Sequence, residues 1–160
     1  LPNAQFIEGN HDNKIHRYAK GNDVIIGENQ QGTVDALEDP EVLTAWTELY
    51  NKMTSYVSIG DTYITHAGFS GEFWEGVDNK KVRTGSIPTG KTVIVGHDRS
   101  PFQIKPAFDS NINKVVVSEN EQGGTVIFTD TGAGKGGFVS GVIIDDSGVV
   151  QDFVSFEDEA

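Results

Sequence analysis

Residues 5–21 read QFIEGNHDNKIHRYAKG, and this stretch decides how the rest of the chain is interpreted. The apolar run Gln5-Phe6-Ile7 predicts a short strand that leads directly into Gly9-Asn10-His11-Asp12. A helix is expected next, with Asp12 as its N-cap and Gly21 as its end. A strand, a turn with polar side chains and a helix are typical of an α/β protein that presents a site at a strand end.

Two helices are predicted in the first third of the chain. The first has an apolar face with Ile15, Tyr18 and Ala19, whereas His16 falls on its polar side and is expected at the surface. The second is predicted to begin at Asp39-Pro40-Glu41, because an N-cap followed by proline is a common start signal. Its apolar residues follow the helical period: Val42, Leu43, Trp46, Leu49, Tyr50 and Met53.

Beyond residue 55 the sequence predicts mainly strands, separated by turns at Gly60-Asp61 and at residues 145–148. The predicted strands are 56–59, 62–65, 92–95, 113–118, 125–129, 138–144 and 149–156. Early helices followed by mostly antiparallel strands indicate an α/β protein with mixed sheets. We expect a single domain that covers residues 1–160.

Composition limits the possible functions. The chain has no cysteine, which excludes disulfides and thiolate metal sites, so any metal must be held by His, Asp, Asn or Glu. The net charge of -12 argues against strong nucleic-acid binding. It does not argue against hydrolysis of phosphate esters, because bound divalent cations can reverse the local field. With no secretory signal and no apolar run near the ~18 residues of a membrane span, we expect a cytoplasmic protein with no membrane partner.

Three of the four histidines occupy the same local setting. His11, His66 and His97 each follow a short apolar strand, and each has a glycine within two residues. Strand ends are where α/β scaffolds present side chains into a cleft, and glycine allows close approach of a ligand. Three unrelated surface histidines are the alternative, but a shared site explains better why the setting is repeated.

The sequence around these histidines resembles a known family. Gly9-Asn10-His11-Asp12, Thr65-His66-Ala67-Gly68 and Gly96-His97 resemble, in order and context, three signature blocks of the calcineurin-like metallophosphoesterases. Asp130-Thr131-Gly132 resembles the block that closes the metal-facing sheet in that family. Residues 9–21 are most similar to the bacterial and phage branch of the phosphoprotein phosphatases. That branch includes small Ser/Thr phosphatases, symmetrical diadenosine tetraphosphate hydrolases and the phosphatase module of polynucleotide kinase-phosphatases.

The resemblance covers nearly the whole chain and implies a metallophosphatase-like α-β-β-α sandwich with two divalent metal ions, Mn²⁺ or alternatively Fe, Zn or Ni. The ligands that it implies for one of these ions are Asn10, His66 and His97. His11 would protonate the leaving alkoxide as general acid, and a hydroxide activated by both metals would be the nucleophile. The candidate phosphate contacts are Arg17 and Arg99, although a solvated helix arginine explains Arg17 equally well.

Two further blocks of the family, Asp-x-His and Gly-Asp-x-x-Asp-Arg-Gly, belong upstream of Gly9 and do not occur in this sequence. They would supply the ligands of the first metal and the carboxylate that bridges both. We therefore expect that the N-terminal part of the domain is missing and that this chain alone holds at most one divalent ion well. A partner segment, from the same gene or from a second chain, is expected along residues 5–7.

The functional hypothesis is a metal-dependent phosphoric ester hydrolase. Its substrate would be a phosphoprotein, a dinucleoside polyphosphate or a nucleic-acid terminal phosphate. The alternative is a catalytically incompetent fragment or structural homologue that keeps the fold as a partner-binding module. The glycine-rich residues 132–137 do not form a P-loop, since the required Ser or Thr and the first glycine are absent and a strand follows, so we expect a tight turn there.

Overall fold

The computed structural model describes residues 3–67, 87, 89–97, 115–119, 123–133 and 137–156. The chain divides into two compact units, Leu1–Thr54 and Ser55–Ala160. Within the described residues, the first unit contains three helices and the second contains two sheets. No helix in the described ranges is long and apolar enough to cross a membrane.

The first unit is built from α1 (Asn10–Ala19), α2 (Glu28–Ala36) and α3 (Pro40–Tyr50). A small core is formed by Ile15 of α1, Val34 of α2 and Leu37 at the end of α2, which are buried together. Partly buried side chains pack around it, namely Ala19, Ile26, Leu43 and Trp46. The apolar faces predicted for α1 and α3 thus contribute to one small core, although Tyr18 on α1 is 41% exposed, contrary to the prediction.

The start of α1 differs from the prediction, whereas its end agrees. Gly9 is the N-cap, and Asp12 lies inside the first turn, where its carboxylate accepts a 2.8 Å hydrogen bond from the Gly9 N–H. An acidic side chain can thus satisfy the backbone from the third helical position as well as from the cap. Gly21 follows the helix with φ +78°, a backbone conformation that favours glycine, so the predicted stop is confirmed.

The other two helices show what the sequence signals could and could not predict. The predicted start of α3 is confirmed, since the Asp39 carboxylate accepts from the Glu41 N–H at 2.8 Å and Pro40 is the first helical residue. Helix α2 was not predicted. Its sequence, ENQQGTVDA, contains a glycine and lacks an apolar stripe, so packing of Val34 rather than local pattern supports it.

The strand predicted at residues 5–7 is reduced to a single bridge. Ile7 pairs with Thr54 in a parallel bridge. The Thr54 N–H donates to the Phe6 carbonyl and the Glu8 N–H donates to the Thr54 carbonyl, both at 2.9 Å. The short run therefore lies beside the chain that leaves α3.

The second unit has a five-stranded mixed sheet in the order β1-β2-β3-β5-β4. Its strands are β1 (Tyr56–Ile59), β2 (Thr62–Thr65), β3 (Thr92–Val95), β4 (Val116–Glu119) and β5 (Thr125–Phe128). Strands β2, β3 and β5 are parallel to one another, and β1 and β4 pair antiparallel at the edges. The prediction of mostly antiparallel strands is wrong for this centre, because the long connections 66–91 and 96–124 allow parallel crossovers.

The core of the second unit lies on the central strands, whose residues are buried in continuous runs, as expected for parallel strands. The buried cluster consists of Ala67, Ile87, Val93, Val95, Val126 and Phe128. Tyr56, Tyr63 and Val116 pack against it. The β-branched run that predicted β3 is therefore also the centre of the core.

A two-stranded antiparallel sheet of β6 (Val139–Ile144) and β7 (Val150–Phe156) completes the described part of this unit. Its turn meets the β1–β2 turn closely. A Cβ added at Gly60 would overlap the Ser147 carbonyl oxygen, and one added at Gly148 would overlap the Ile59 carbonyl oxygen. The Thr62 hydroxyl also donates to the Gly148 carbonyl at 2.7 Å. The α/β class with a mixed sheet is thus confirmed, and the four-layer sandwich stays a prediction.

Candidate functional site

His66 and His97 lie at the carboxyl ends of two neighbouring parallel strands. His66 follows β2 directly, and His97 follows β3 after Gly96. The parallel register pairs Thr65 with Val95, and the Gly96 N–H donates to the His66 carbonyl at 3.0 Å just beyond it. Both histidines are therefore presented at the same edge of the sheet.

The two imidazole rings face each other at close range. His97 Nδ1 lies 2.9 Å from His66 Nε2, and the ring centroids are 4.7 Å apart at an interplanar angle of 69°. Two imidazole nitrogens about 2.1 Å from one ion lie about 3.0 Å apart at an angle of about 90°, as in octahedral coordination, and about 3.4 Å apart at the tetrahedral angle. The arrangement fits two ligands of a single metal ion, and it equally fits a hydrogen bond between neutral imidazoles.

The backbone below the pair is firmly packed. Thr65 is 3% exposed, Ala67 1% and Val95 0%, whereas both histidine rings are half-buried. Among the described atoms, a Cβ added at position 96 would meet only Thr129 Oγ1, at 3.8 Å, so the described structure leaves room for a side chain there. The expectation that glycine here allows close approach of a ligand stays a prediction. Gly68 lies outside the described residues.

Asp130 follows β5, the next parallel strand at this edge. Val95 pairs with Phe128, so Asp130 is level with His97 in the extended register. Its carboxylate accepts from the Gly132 N–H at 2.8 Å and so closes the turn after the strand. The neighbouring Thr131 is buried and donates its hydroxyl to the Phe138 carbonyl. The Asp130-Thr131-Gly132 block thus forms a packed turn beside the histidine pair.

Among the described side chains of His, Asp and Glu, no three come together as a group that could hold a metal ion. The histidine pair is thus the part of the predicted metal site that the structure brings together. Both ligating groups would be neutral nitrogens, a donor type that suits Zn²⁺ and other divalent transition metals.

The remaining predicted site residues lie in the first unit or outside the described residues. Asn10 and His11 are the first two residues of α1, with Asn10 half-buried and His11 exposed. Arg17 lies exposed near the end of the same helix. Their predicted roles as ligand, acid and phosphate contact stay predictions. Arg99 lies outside the described residues.

Sequence reasoning missed a polar cluster beside the start of α1. Glu8, Asn13 and Tyr50 are joined by hydrogen bonds, and His16 stacks on Tyr50 with ring centroids 3.7 Å apart. His16 is only 8% exposed, so the prediction that it lies at the surface is wrong. Burial, and next the positive charge of Lys20, lower the pKa of His16. In the sequence, Tyr50 is one of the apolar residues that follow the helical period. Its partner Glu8 lies 42 positions earlier in the chain, so no local pattern predicts their contact.

Comparisons with protein-family models, with curated proteins and with solved structures found no match. The geometry of the described residues and the sequence motifs therefore carry the functional argument.

Proposed function

We propose that the chain belongs to a metal-dependent phosphoric ester hydrolase of the cytoplasm, with His66 and His97 as ligands of one divalent ion. The observation that carries this proposal is the 2.9 Å approach of His97 Nδ1 to His66 Nε2 at the shared edge of β2 and β3. The similarity of the sequence blocks around both histidines to those of metallophosphoesterases supports the reaction class. The predicted roles of Asn10 and His11 belong to this proposal.

Each of the predicted site residues has a distinct role in the proposed reaction. His66 and His97 would hold the ion. The sequence motif around Asn10 and His11 predicts a further oxygen ligand and a donor of the proton to the leaving oxygen of the ester. When bound, divalent metal ions supply positive charge that polarises the phosphoryl oxygens and makes water acidic enough to ionise near neutral pH. The N-terminus of α1 carries a partial positive charge, which favours an anion there. Substrate would be one of the phosphate esters named above, a phosphoprotein, a dinucleoside polyphosphate or a nucleic-acid end.

Titration calorimetry of the chain with Mn²⁺ and with Zn²⁺ tests the metal site. We expect one ion to bind, and His66→Ala and His97→Ala each to weaken binding by at least about tenfold, since each removes a ligand. The matched control is Lys91→Gln, which lies at the other end of β3 and pairs with the exposed Asp61. Binding that survives both histidine substitutions would refute the ligand assignment, and no binding at all would leave the pair as hydrogen-bonded imidazoles.

Hydrolysis of p-nitrophenyl phosphate and of an alkyl phosphate, by the protein expressed from its complete reading frame, tests the reaction. His11→Ala should retain metal and lose about 10²- to 10⁴-fold in kcat on the alkyl ester, with a smaller loss on the nitrophenyl ester. The reason is that nitrophenolate leaves without protonation. Equal losses on both esters would contradict acid catalysis. A metal-loaded protein with no hydrolysis of either ester would favour the partner-binding alternative.

A further inference from the structure

Three polar side chains of the first unit form a cluster that we call the clasp, consisting of Glu8, Asn13 and Tyr50. Asn13 Nδ2 donates to Glu8 Oε1 at 2.7 Å, and the Tyr50 hydroxyl donates to the same oxygen at 2.7 Å. Asn13 Nδ2 also lies 3.2 Å from the Tyr50 oxygen. All three side chains are half-buried. Each pair of the three is thus in contact, and a charged acceptor makes two of these bonds stronger than neutral ones.

The clasp brackets the turn that carries Asn10 and His11. Glu8 immediately precedes the Gly9 N-cap, and Asn13 lies in the first turn of α1, so their side chains reach across the turn from both sides. A second bond inside the bracket joins the Gly9 N–H to the Asp12 carboxylate at 2.8 Å. Both hydrogen bonds span the turn, and Asn10 and His11 are the two residues that lie inside the inner one.

Tyr50 ties this bracket to a different helix. It is the last residue of α3, and its ring stacks on His16 at an interplanar angle of 10°. Burial, and next the hydrogen bond to Glu8, raises the pKa of Tyr50 to about 12. The hydroxyl therefore stays protonated near neutral pH and can act as the hydrogen-bond donor. Thr54, just beyond α3, holds the backbone of Phe6 and Glu8 by two further bonds. The turn is thus fixed by both backbone and side chain to the end of α3.

We propose that the clasp positions Asn10 and His11, and that Tyr50 is a positioning residue of the site to which they belong. This inference rests on the proposed function for its catalytic consequence, but its structural part concerns only contacts within Leu1–Thr54. A ring stacked on one side and a hydroxyl bonded on the other give Tyr50 a single orientation. Loss of the hydroxyl alone would remove one of the two hydrogen bonds to Glu8 and leave that of Asn13, so the turn would be held less firmly while the ring stays in place.

The test compares Tyr50→Phe with Tyr18→Phe, the same substitution at an exposed tyrosine of α1 outside the clasp. In NMR spectra of the full chain, Tyr50→Phe should shift or broaden the Asn10 side-chain amide and the His11 ring signals, and Tyr18→Phe should leave both in place. In the protein from the complete reading frame, Tyr50→Phe should lower kcat for phosphate esters by about tenfold or more with KM nearly constant, because misplaced groups lose rate rather than binding.

Glu8→Gln and Glu8→Ala provide a second arm that does not depend on Tyr50. The glutamine keeps an oxygen that can accept from the Tyr50 hydroxyl, so it should restore most of the wild-type signals that alanine loses. Unchanged Asn10 and His11 signals in Tyr50→Phe, or equal effects of glutamine and alanine, would overturn the proposal. Shifted signals in a protein that hydrolyses no phosphate ester would uphold the clasp and remove the proposed function instead.

Discussion

His16 is a histidine whose charged form the fold disfavours. It is buried, its Nδ1 atom has no hydrogen-bond partner among the described residues, and it stacks on Tyr50. The charged groups that face it are Lys20 on its own helix, which lowers its pKa, and Glu8, which raises it by a smaller amount. Burial is the largest cause of the shift, so neutral imidazole is the form that the first unit requires.

The depressed pKa of His16 predicts a loss of stability in acid. The ordinary pKa is 6.5, and the folded value lies below it, so the unfolded chain binds the proton first as the pH falls. The free energy of unfolding should therefore decrease as the pH drops below about 6.5. His16→Phe keeps a stacked ring and removes the titrating group, so this variant should lose less stability in that range. Urea unfolding at several pH values measures it.

Lys20→Gln separates the two causes of the His16 shift. Because burial is the larger cause, this variant should still lose stability in acid, although less than the wild type. If His16→Phe showed the same dependence on pH as the wild type, other groups would be responsible and the prediction would be wrong.

The histidine pair and the clasp differ in how far the sequence predicts them. His66 and His97 could be assigned to one site because each follows a short apolar strand and has a glycine within two residues. The parallel pairing that brings the two strand ends to one edge is a finding of the structure. The bond between Glu8 and Tyr50 joins distant parts of the chain through the packing of α1 and α3. Helical periodicity records only that Tyr50 faces inward, so it cannot identify the polar partner.

At the scale of elements, the turns of β1–β2 and β6–β7 hold each other in place. Gly60 and Gly148 both have positive φ, at +56° and +87°, and each lies against the backbone of the other turn. We expect Gly148→Ala to destabilise the second unit by about 3 kcal/mol or more, since an unfavourable backbone conformation and a steric overlap add together. Denaturant unfolding of the variant measures this loss.

Gly90→Ala is the matched control for this substitution. Gly90 has φ +81°, but no atom of the described residues lies within 4 Å of the position where its Cβ would be. Gly90→Ala should therefore lower the free energy of unfolding by only about 1–2 kcal/mol, the cost of the backbone strain. Equal losses for the two variants would show that the contact between the turns contributes nothing measurable.

Local signals located most elements but not their pairing. Strands β1, β2 and β3 have the predicted bounds because β-branched runs end at clear turns. The parallel pairing of β3 with β2 and β5 was not predicted, since it depends on long connections rather than on the strands themselves. Helix α2 was missed for a related reason, because Val34 is stabilised by packing on Ile15 and Leu37.

At the scale of the whole chain, the composition predicts less than the motifs do. The absence of cysteine and the charge of -12 restrict the possible ligands and partners, yet neither selects a fold. The α/β class followed from helices early and strands late in the chain. The division into two compact units, Leu1–Thr54 and Ser55–Ala160, had no counterpart in linker composition and was not predicted.

The parallel centre of the sheet has a consequence for the order of folding. Pairing β2 with β3, and β3 with β5, requires closure of long loops, whereas the β6–β7 hairpin closes across a short turn. The amide of Gly96, bonded to the His66 carbonyl, should therefore become protected from hydrogen exchange later than the amides of β6 and β7 during refolding. Pulse labelling with mass spectrometry can resolve this order, and simultaneous protection would contradict it. The two histidines would then come together only after the β6–β7 hairpin has formed.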